Sequence, residues 1–221
     1  GSGVLHAHGS AALEEVAEAL GAPVTTSWAG RGAMPDTHEQ LLPIWAMNPI
    51  NEARSEADLV VVIGSRLGET DWWGKPPYWG QPGEQKMVQV DIDEGILGLN
   101  KATEIAIDAD AGTFLTALAA ELKQNPLSEE RLQANRARTA GLAEGVAKVR
   151  GQLDATLTNT GSPMHSSHIP TTCRRFFGDD TVYVFDGGNA TVWASFYSEI
   201  NRPDTLLSTF KFGMLGEGVS Q

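Results

Sequence analysis

The chain has 221 residues, enough for one or two domains with a buried core, and its 41% hydrophobic and 20% charged composition excludes a disordered protein. A net charge of −12, with no basic stripe interleaved with aromatics, argues against nucleic acid as a partner. No apolar run is long enough to span a bilayer and the N-terminal residues do not read as a signal peptide, so the acidity is expected to be that of a cytoplasmic surface.

Gly1-Ser2-Gly3-Val4 opens the chain and reads as native sequence or as the scar of a tag. Ser10 is placed to cap a helix whose apolar residues Leu13, Val16, Ala17 and Leu20 follow helical spacing. Glu14 and Glu15 fall in its expected first turn, and Gly21 ends it. Pro23-Val24-Thr25-Thr26 reads as a short strand, Gly30 to Pro35 as a loop, and the stretch around Asn51 to Glu56 as a short helix. Leu59-Val60-Val61-Val62-Ile63 is a β-branched run of the kind found in a sheet buried on both faces. The Pro/Gly-rich stretch 71–83, with Trp72, Trp73, Tyr78 and Trp79, is an irregular insertion whose aromatics suit an interface. Strands at 87–91 and 104–107 and a helix at 113–122 follow. Strands alternating with helices predict an α/β fold with a doubly wound parallel sheet, Rossmann-like.

From 128 to 157 the composition turns to Ala, Glu, Arg, Gln and Leu without proline, which predicts a long, solvated helix linking two domains. Gly141, Gly145 and Gly151 weigh against it. A helix at 167–177, holding the only cysteine, Cys173, as a buried thiol, leads to the strand at Thr181 and the turn Asp186-Gly187-Gly188. A strand running into a glycine turn and then a helix is an arrangement that suits phosphate. The closing run Phe210-Lys211-Phe212-Gly213-Met214-Leu215-Gly216 reads as a ligand loop cut off in its middle, so the second α/β unit is expected to be truncated. The expected domains are 1–124, a helical linker 125–162, and 163–221.

Taken together these residues resemble the thiamine-diphosphate enzymes of the acetolactate synthase and 2-oxoacid decarboxylase type. The similar elements are Gly1-Ser2-Gly3-Val4, the segment from Leu20-Gly21 to Thr25-Thr26, Gly30-Arg31-Gly32, Ala57-Asp58-Leu59, Ile63-Gly64-Ser65-Arg66, Val90-Asp91-Ile92-Asp93 and Asn100. Further on they are Asp180-Thr181-Val182, Gly188-Asn189, Trp193-Ala194-Ser195 and Gly213-Met214-Leu215-Gly216. The resemblance implies a central domain followed by the opening of a diphosphate-binding domain.

It also implies roles. Gly188, Asn189 and Ala190 would approach the diphosphate of thiamine diphosphate, with Asn189-Ala190 standing where the family often has Gln-His. Gly213, Met214 and Leu215 would hold the aminopyrimidine, Gly213 through its carbonyl and Leu215 as an apolar wedge that bends the cofactor; Leu215 as a plain core residue is the alternative. The Gly-Asp-Gly…Asn motif that binds Mg²⁺ and the glutamate that activates the cofactor have no match here, so no catalytic residue and no metal ligand is expected within the chain. The chain alone is then expected to be inactive. Gly178-Asp179-Asp180 and Asp186-Gly187-Gly188 imitate the metal motif in the wrong places.

In some relatives the central domain binds FAD, ADP or CoA, and the matching positions are Gly3, Arg66, Asp91, Ile92 and Asp93. The expected parent is a lyase or transferase making or breaking C–C bonds next to a carbonyl, acting on a 2-oxo acid or an acyl-CoA as a homodimer or homotetramer. The rival reading is a non-catalytic Rossmann-like module for FAD, ADP or CoA. His6 and His8 lie two apart without a third ligand in view and read as surface residues; His38 reads as structural, and His165 and His168 carry no expected chemistry.

Overall fold

The computed structural model describes residues 1–81, 83–208 and 215–219. The chain opens with a single helical turn, α1 (Gly3–His6), and then α2 (Ser10–Leu20). The first bond of α2 runs from Leu13 N–H to the carbonyl of Gly9, one residue earlier than a Ser10 cap requires. Gly9 is therefore the cap, Ser10 is the first helical residue with a buried hydroxyl lacking a partner among the described residues, and no acid lies in the first turn. Gly21 ends the helix as expected, in the left-handed conformation at φ 61°.

Strand β1 (Val24–Thr25) pairs in parallel with β2 (Leu41–Leu42), and α3 (Met47–Glu56) follows. Pro49 sits in the first turn of α3, where a missing N–H costs no helical bond. A second parallel sheet runs β3 (Leu59–Ile63), β4 (Lys86–Asp91), β5 (Ile105–Asp108), with Val61 opposite Val88 and Ile63 opposite Val90. Helix α4 (Ala111–Gln124) is capped by Asp110, which accepts from Thr113 N–H at 2.8 Å. The expected long helix is present as α5 (Glu129–Thr156), capped by Ser128, and its three glycines do not break it. At Gly145 the reason is packing: a Cβ there would stand 3.0 Å from Pro49 of α3. The remainder comprises α6 (His168–Phe177), β6 (Tyr183–Phe185), α7 (Gly188–Tyr197) and β7 (Leu206–Ser208), with β6 and β7 parallel.

The protein is thus a parallel α/β, Rossmann-like fold. Its main core lies between β3–β4 and helices α1, α2 and α4, where Val4, Val16, Ile63, Val90, Ala111 and Leu115 are buried together. The opposite face of the sheet is covered by the irregular insertion, through Val62, Met87, Leu67 and Trp79. Trp79 is therefore an internal anchor, its indole N–H donating to the carbonyl of Asp71 at 2.8 Å, whereas Trp72 and Trp73 remain partly exposed. Two other expectations change. Cys173 is only half-buried, because α6 presents much of its surface to solvent. The run 59–63 is not buried on both faces: Leu59 is 50% exposed and Val61 38%. Among the described residues no helix is long and apolar enough to cross a membrane.

Candidate functional site

The carboxyl ends of β3, β4 and β5 open onto a cavity of about 490 Å³. Ligands of open parallel sheets bind at this end of the strands. Glycines let the backbones meet there: a Cβ on Gly3 would lie 2.7 Å from Cα of Gly64, and Gly64 itself holds φ +59°. Gly1 packs as tightly, so it occupies a position that only glycine fits; a Cβ there would be 2.0 Å from the carbonyl oxygen of Gly64. Gly3, Arg66, Asp91 and Ile92, matched by the resemblance to a nucleotide site, all line this cavity. Asp93 does not line it; its carboxylate accepts from Gly95 N–H at 2.9 Å and shapes the turn after β4.

The charges around the cavity are largely committed. Asp71 is paired with Arg54 at 3.1 Å, both buried, and burial lowers the Arg54 pKa from its ordinary value while Asp71 opposes that shift. Asp110 is held below the usual carboxylate range by the Thr113 N–H and hydroxyl. Asp91 accepts from the Asp93 N–H at 3.2 Å. Arg66 is the one guanidinium lining the cavity among the described residues, and it shares its charge with Glu69 at 3.4 Å, both half exposed. His6 also lines the cavity, at the end of α1, while His8 lies in the turn beyond at φ 50°.

A second surface forms at the turn between β6 and α7. Gly188 opens α7 with φ +69°, and a Cβ there would meet Leu215 Cδ2 at 3.2 Å. Asn189 and Ala190, in the first turn of this ten-residue helix, are exposed. Asp186 joins the turn to the closing segment: its Oδ1 accepts from Gly187 N–H at 2.8 Å and its Oδ2 from Gly216 N–H at 2.9 Å. The glycine turn and the closing run singled out in the sequence are therefore neighbours. Leu215 is 76% exposed in this chain. Gly213 and Met214 lie outside the described residues. The N–H groups of a helix's first turn and its positive dipole end suit an anion such as a diphosphate, so Gly188, Asn189 and Ala190 fit that group. Thr191, in the same turn, is buried with no partner for its hydroxyl among the described residues.

The acids of both imitations of the metal motif have protein partners. Asp179 pairs with Arg174 and Asp180 with Arg202, and Asp186 is engaged as above. Among the described residues no group of three or more His, Cys, Asp or Glu is placed to hold a metal ion. His165 hydrogen-bonds Ser167 at 2.8 Å and packs its edge on Trp193, and His38 accepts from Gln40 N–H.

Sequence reasoning gave no role to Arg31. It is buried, and its guanidinium donates to the carbonyls of Ser195 and Ser198 at the end of α7. The only signal in the sequence was its place between Gly30 and Gly32, two glycines that allow close approach.

Residues 1–118 match the thiamine pyrophosphate enzyme central domain. An acetolactate synthase of Mycobacterium bovis is 26% identical over 223 residues, 98% of this chain and 34% of that protein. The large subunit of acetolactate synthase isozyme 1 of Escherichia coli is 24% identical over 99% of this chain and 36% of its own length. A sulfoacetaldehyde acetyltransferase of Alcaligenes xylosoxydans is 25% identical over 98% of this chain and 39% of its own. The chain spans little more than a third of the length of these relatives.

Proposed function

The chain belongs to the thiamine pyrophosphate enzyme family, whose central domain it carries, and we propose that it is part of a thiamine-diphosphate-dependent enzyme that makes or breaks a C–C bond next to a carbonyl. One observation carries this reading: Asp186 holds the Gly188 turn against Leu215 and Gly216, so that a helix N-terminus and an exposed apolar side chain share one surface. A plain nucleotide module has no use for that pairing.

Bound thiamine diphosphate supplies an electron sink for a carbanion next to the former carbonyl. The residues of this chain would position it. The first-turn amides of α7, at Gly188, Asn189 and Ala190, would receive the diphosphate. Leu215 would press on the face of the cofactor, with Met214 and the Gly213 carbonyl at the aminopyrimidine. Mg²⁺ and the activating carboxylate would come from other parts of the enzyme. On this reading 1–124 is a central domain, 125–162 a helical linker and 163–221 the opening of the diphosphate-binding domain. Acetolactate synthases and a sulfoacetaldehyde acetyltransferase among the relatives favour transfer of an acyl unit, with a 2-oxo acid or an acyl-CoA as substrate, in a cytoplasmic homodimer or homotetramer.

Calorimetric titration with thiamine diphosphate and Mg²⁺ tests this. The complete enzyme should bind the cofactor tightly and consume a 2-oxo acid such as pyruvate, while the 221-residue chain alone should show no tight binding. Submicromolar binding to the chain alone would mean that the site is misplaced.

The cavity at the ends of β3–β5 favours a second role for the same chain. Its position and the Gly1–Gly3–Gly64 contact suit the adenine and ribose of FAD, ADP or CoA beside Asp91 and Ile92. Its charge suits their diphosphate less well, since Arg66 is already shared with Glu69.

A further inference from the structure

Arg31 and Asp36 stand in the loop between β1 and β2, and their side chains, almost fully buried, meet the far end of α7. The Arg31 guanidinium donates to the carbonyl of Ser195 at 3.0 Å and to that of Ser198 at 2.5 Å. The last carbonyls of a helix have no partner within it. Ser195 and Ser198 are 3% and 2% exposed, so water does not serve these two and Arg31 does. The same guanidinium donates to Asp36 Oδ2, through Nε at 3.2 Å and Nη2 at 2.5 Å.

The connection out of α7 is gripped by the same loop. Asp36 Oδ2 accepts from Ile200 N–H at 3.0 Å, and Asp36 N–H donates to the Ile200 carbonyl at 3.0 Å. Gly32, at φ +92°, lets the two backbones touch: a Cβ there would stand 3.0 Å from the carbonyl oxygen of Arg202. From there the chain runs on to β7, which pairs with β6, the strand that feeds the Gly188 turn. A helix of the ten residues of α7 is roughly 15 Å long and moves as a rod, so the place of its first turn follows that of its last.

We propose that Arg31 and Asp36 are positioning residues for the diphosphate: without touching the cofactor, they set where the amides of Gly188, Asn189 and Ala190 stand by fixing the opposite end of α7. This rests on the reading of those amides as the diphosphate site. An apolar contact in the same place would tolerate sliding. A planar fork shared between a carboxylate oxygen and two carbonyls has one fit. Cofactor amides need that precision, since a binding constellation works within about 0.5 Å of its productive geometry.

The test uses the complete enzyme with thiamine diphosphate and saturating Mg²⁺. Arg31→Lys keeps the charge and loses the fork, and Asp36→Asn keeps the shape and loses the charge; both are milder than Arg31→Ala. Asp36→Glu keeps the ion pair and lengthens the arm by a methylene, and is read in the same way if the other two do not fold. Leu115→Ala, in the main core among residues none of which belongs to α7, is the control for lost stability alone. Calorimetry well below every unfolding midpoint reads cofactor affinity, and amide hydrogen exchange reads 188–190 with cofactor bound. The proposal expects the loop variants to weaken cofactor binding by at least about tenfold and to lose protection at 188–190, with Leu115→Ala within about twofold of the parent. Loop variants that lower the midpoint and keep the parent's affinity overturn it and leave the diphosphate reading standing. So does an equal loss of affinity in the loop variants and the control. A parent enzyme that binds cofactor without protecting 188–190 overturns the diphosphate reading itself, and this proposal with it.

Discussion

Arg31 and Asp36 form an ion pair with both side chains almost fully buried, Nη2 lying 2.5 Å from Oδ2. The pair is also the fastening between the loop after β1 and the end of α7. Arg31 donates to the Ser195 carbonyl at 3.0 Å, and Asp36 accepts from Ile200 N–H at 3.0 Å.

Removing one partner of a buried pair strands the other, which costs about 3–5 kcal/mol. Arg31→Ala should therefore lower unfolding free energy in urea by about that amount. Arg31→Lys should recover only part of it, because a lysine cannot serve Asp36 and two carbonyls with a planar fork. An Arg31→Ala protein as stable as the parent would show that the fastening contributes nothing.

The Gly1 amino group gives a pH signature. Burial pushes its pKa down from 8.0 to about 6, with Asp71 and Asp91 pulling it back up. Between those values the unfolded chain holds more protons than the folded one, so stability rises with pH from about 6 to 8 and the penalty is complete below 6. The full difference is roughly 3 kcal/mol. Acetylating the amino group should remove this rise, leaving the acetylated protein ahead by a margin that grows as pH falls. Parallel stability profiles for the two forms would contradict the buried charge.

For the cavity beside Asp91, Glu69→Gln should release Arg66 and tighten ADP binding, while Arg66→Ala should weaken it by roughly 1.5–3 kcal/mol. Titration that gives the same result for all three proteins would make the cavity scaffold.

Leu215→Ala in the complete enzyme tests the wedge. A misplaced cofactor costs on the order of a hundredfold in rate, so proton exchange at the thiazolium carbon should slow that much while cofactor affinity holds. Unchanged exchange with an intact fold would leave Leu215 without that role.

The order of strands and helices was legible because β-branched runs and helical spacing are local, as at 59–63 and in α2. Gly3, Arg66, Asp91 and Ile92 were grouped by the family resemblance alone, and they line one cavity because a parallel sheet gathers residues that follow its strands at one end. What stayed hidden depends on distant chain. Ser10 was misread because the helix starts from a carbonyl, which no side-chain pattern announces. Arg31 meets α7 across 164 residues, and Arg54 meets Asp71 across strand β3, at the start of an insertion with no periodicity. Trp79 was read as an interface residue because its internal partners, the Asp71 carbonyl and Arg54, come together only through that irregular turn.

The central claim is that the β6–α7 turn receives the diphosphate. Amide hydrogen exchange of the complete enzyme, with and without thiamine diphosphate and Mg²⁺, reads it directly at Gly188, Asn189 and Ala190. Cofactor should protect these three amides and leave those of Gly3, Arg66 and Asp91 unchanged. Protection confined to the Gly3–Arg66–Asp91 cavity, with 188–190 exchanging as before, would contradict the account.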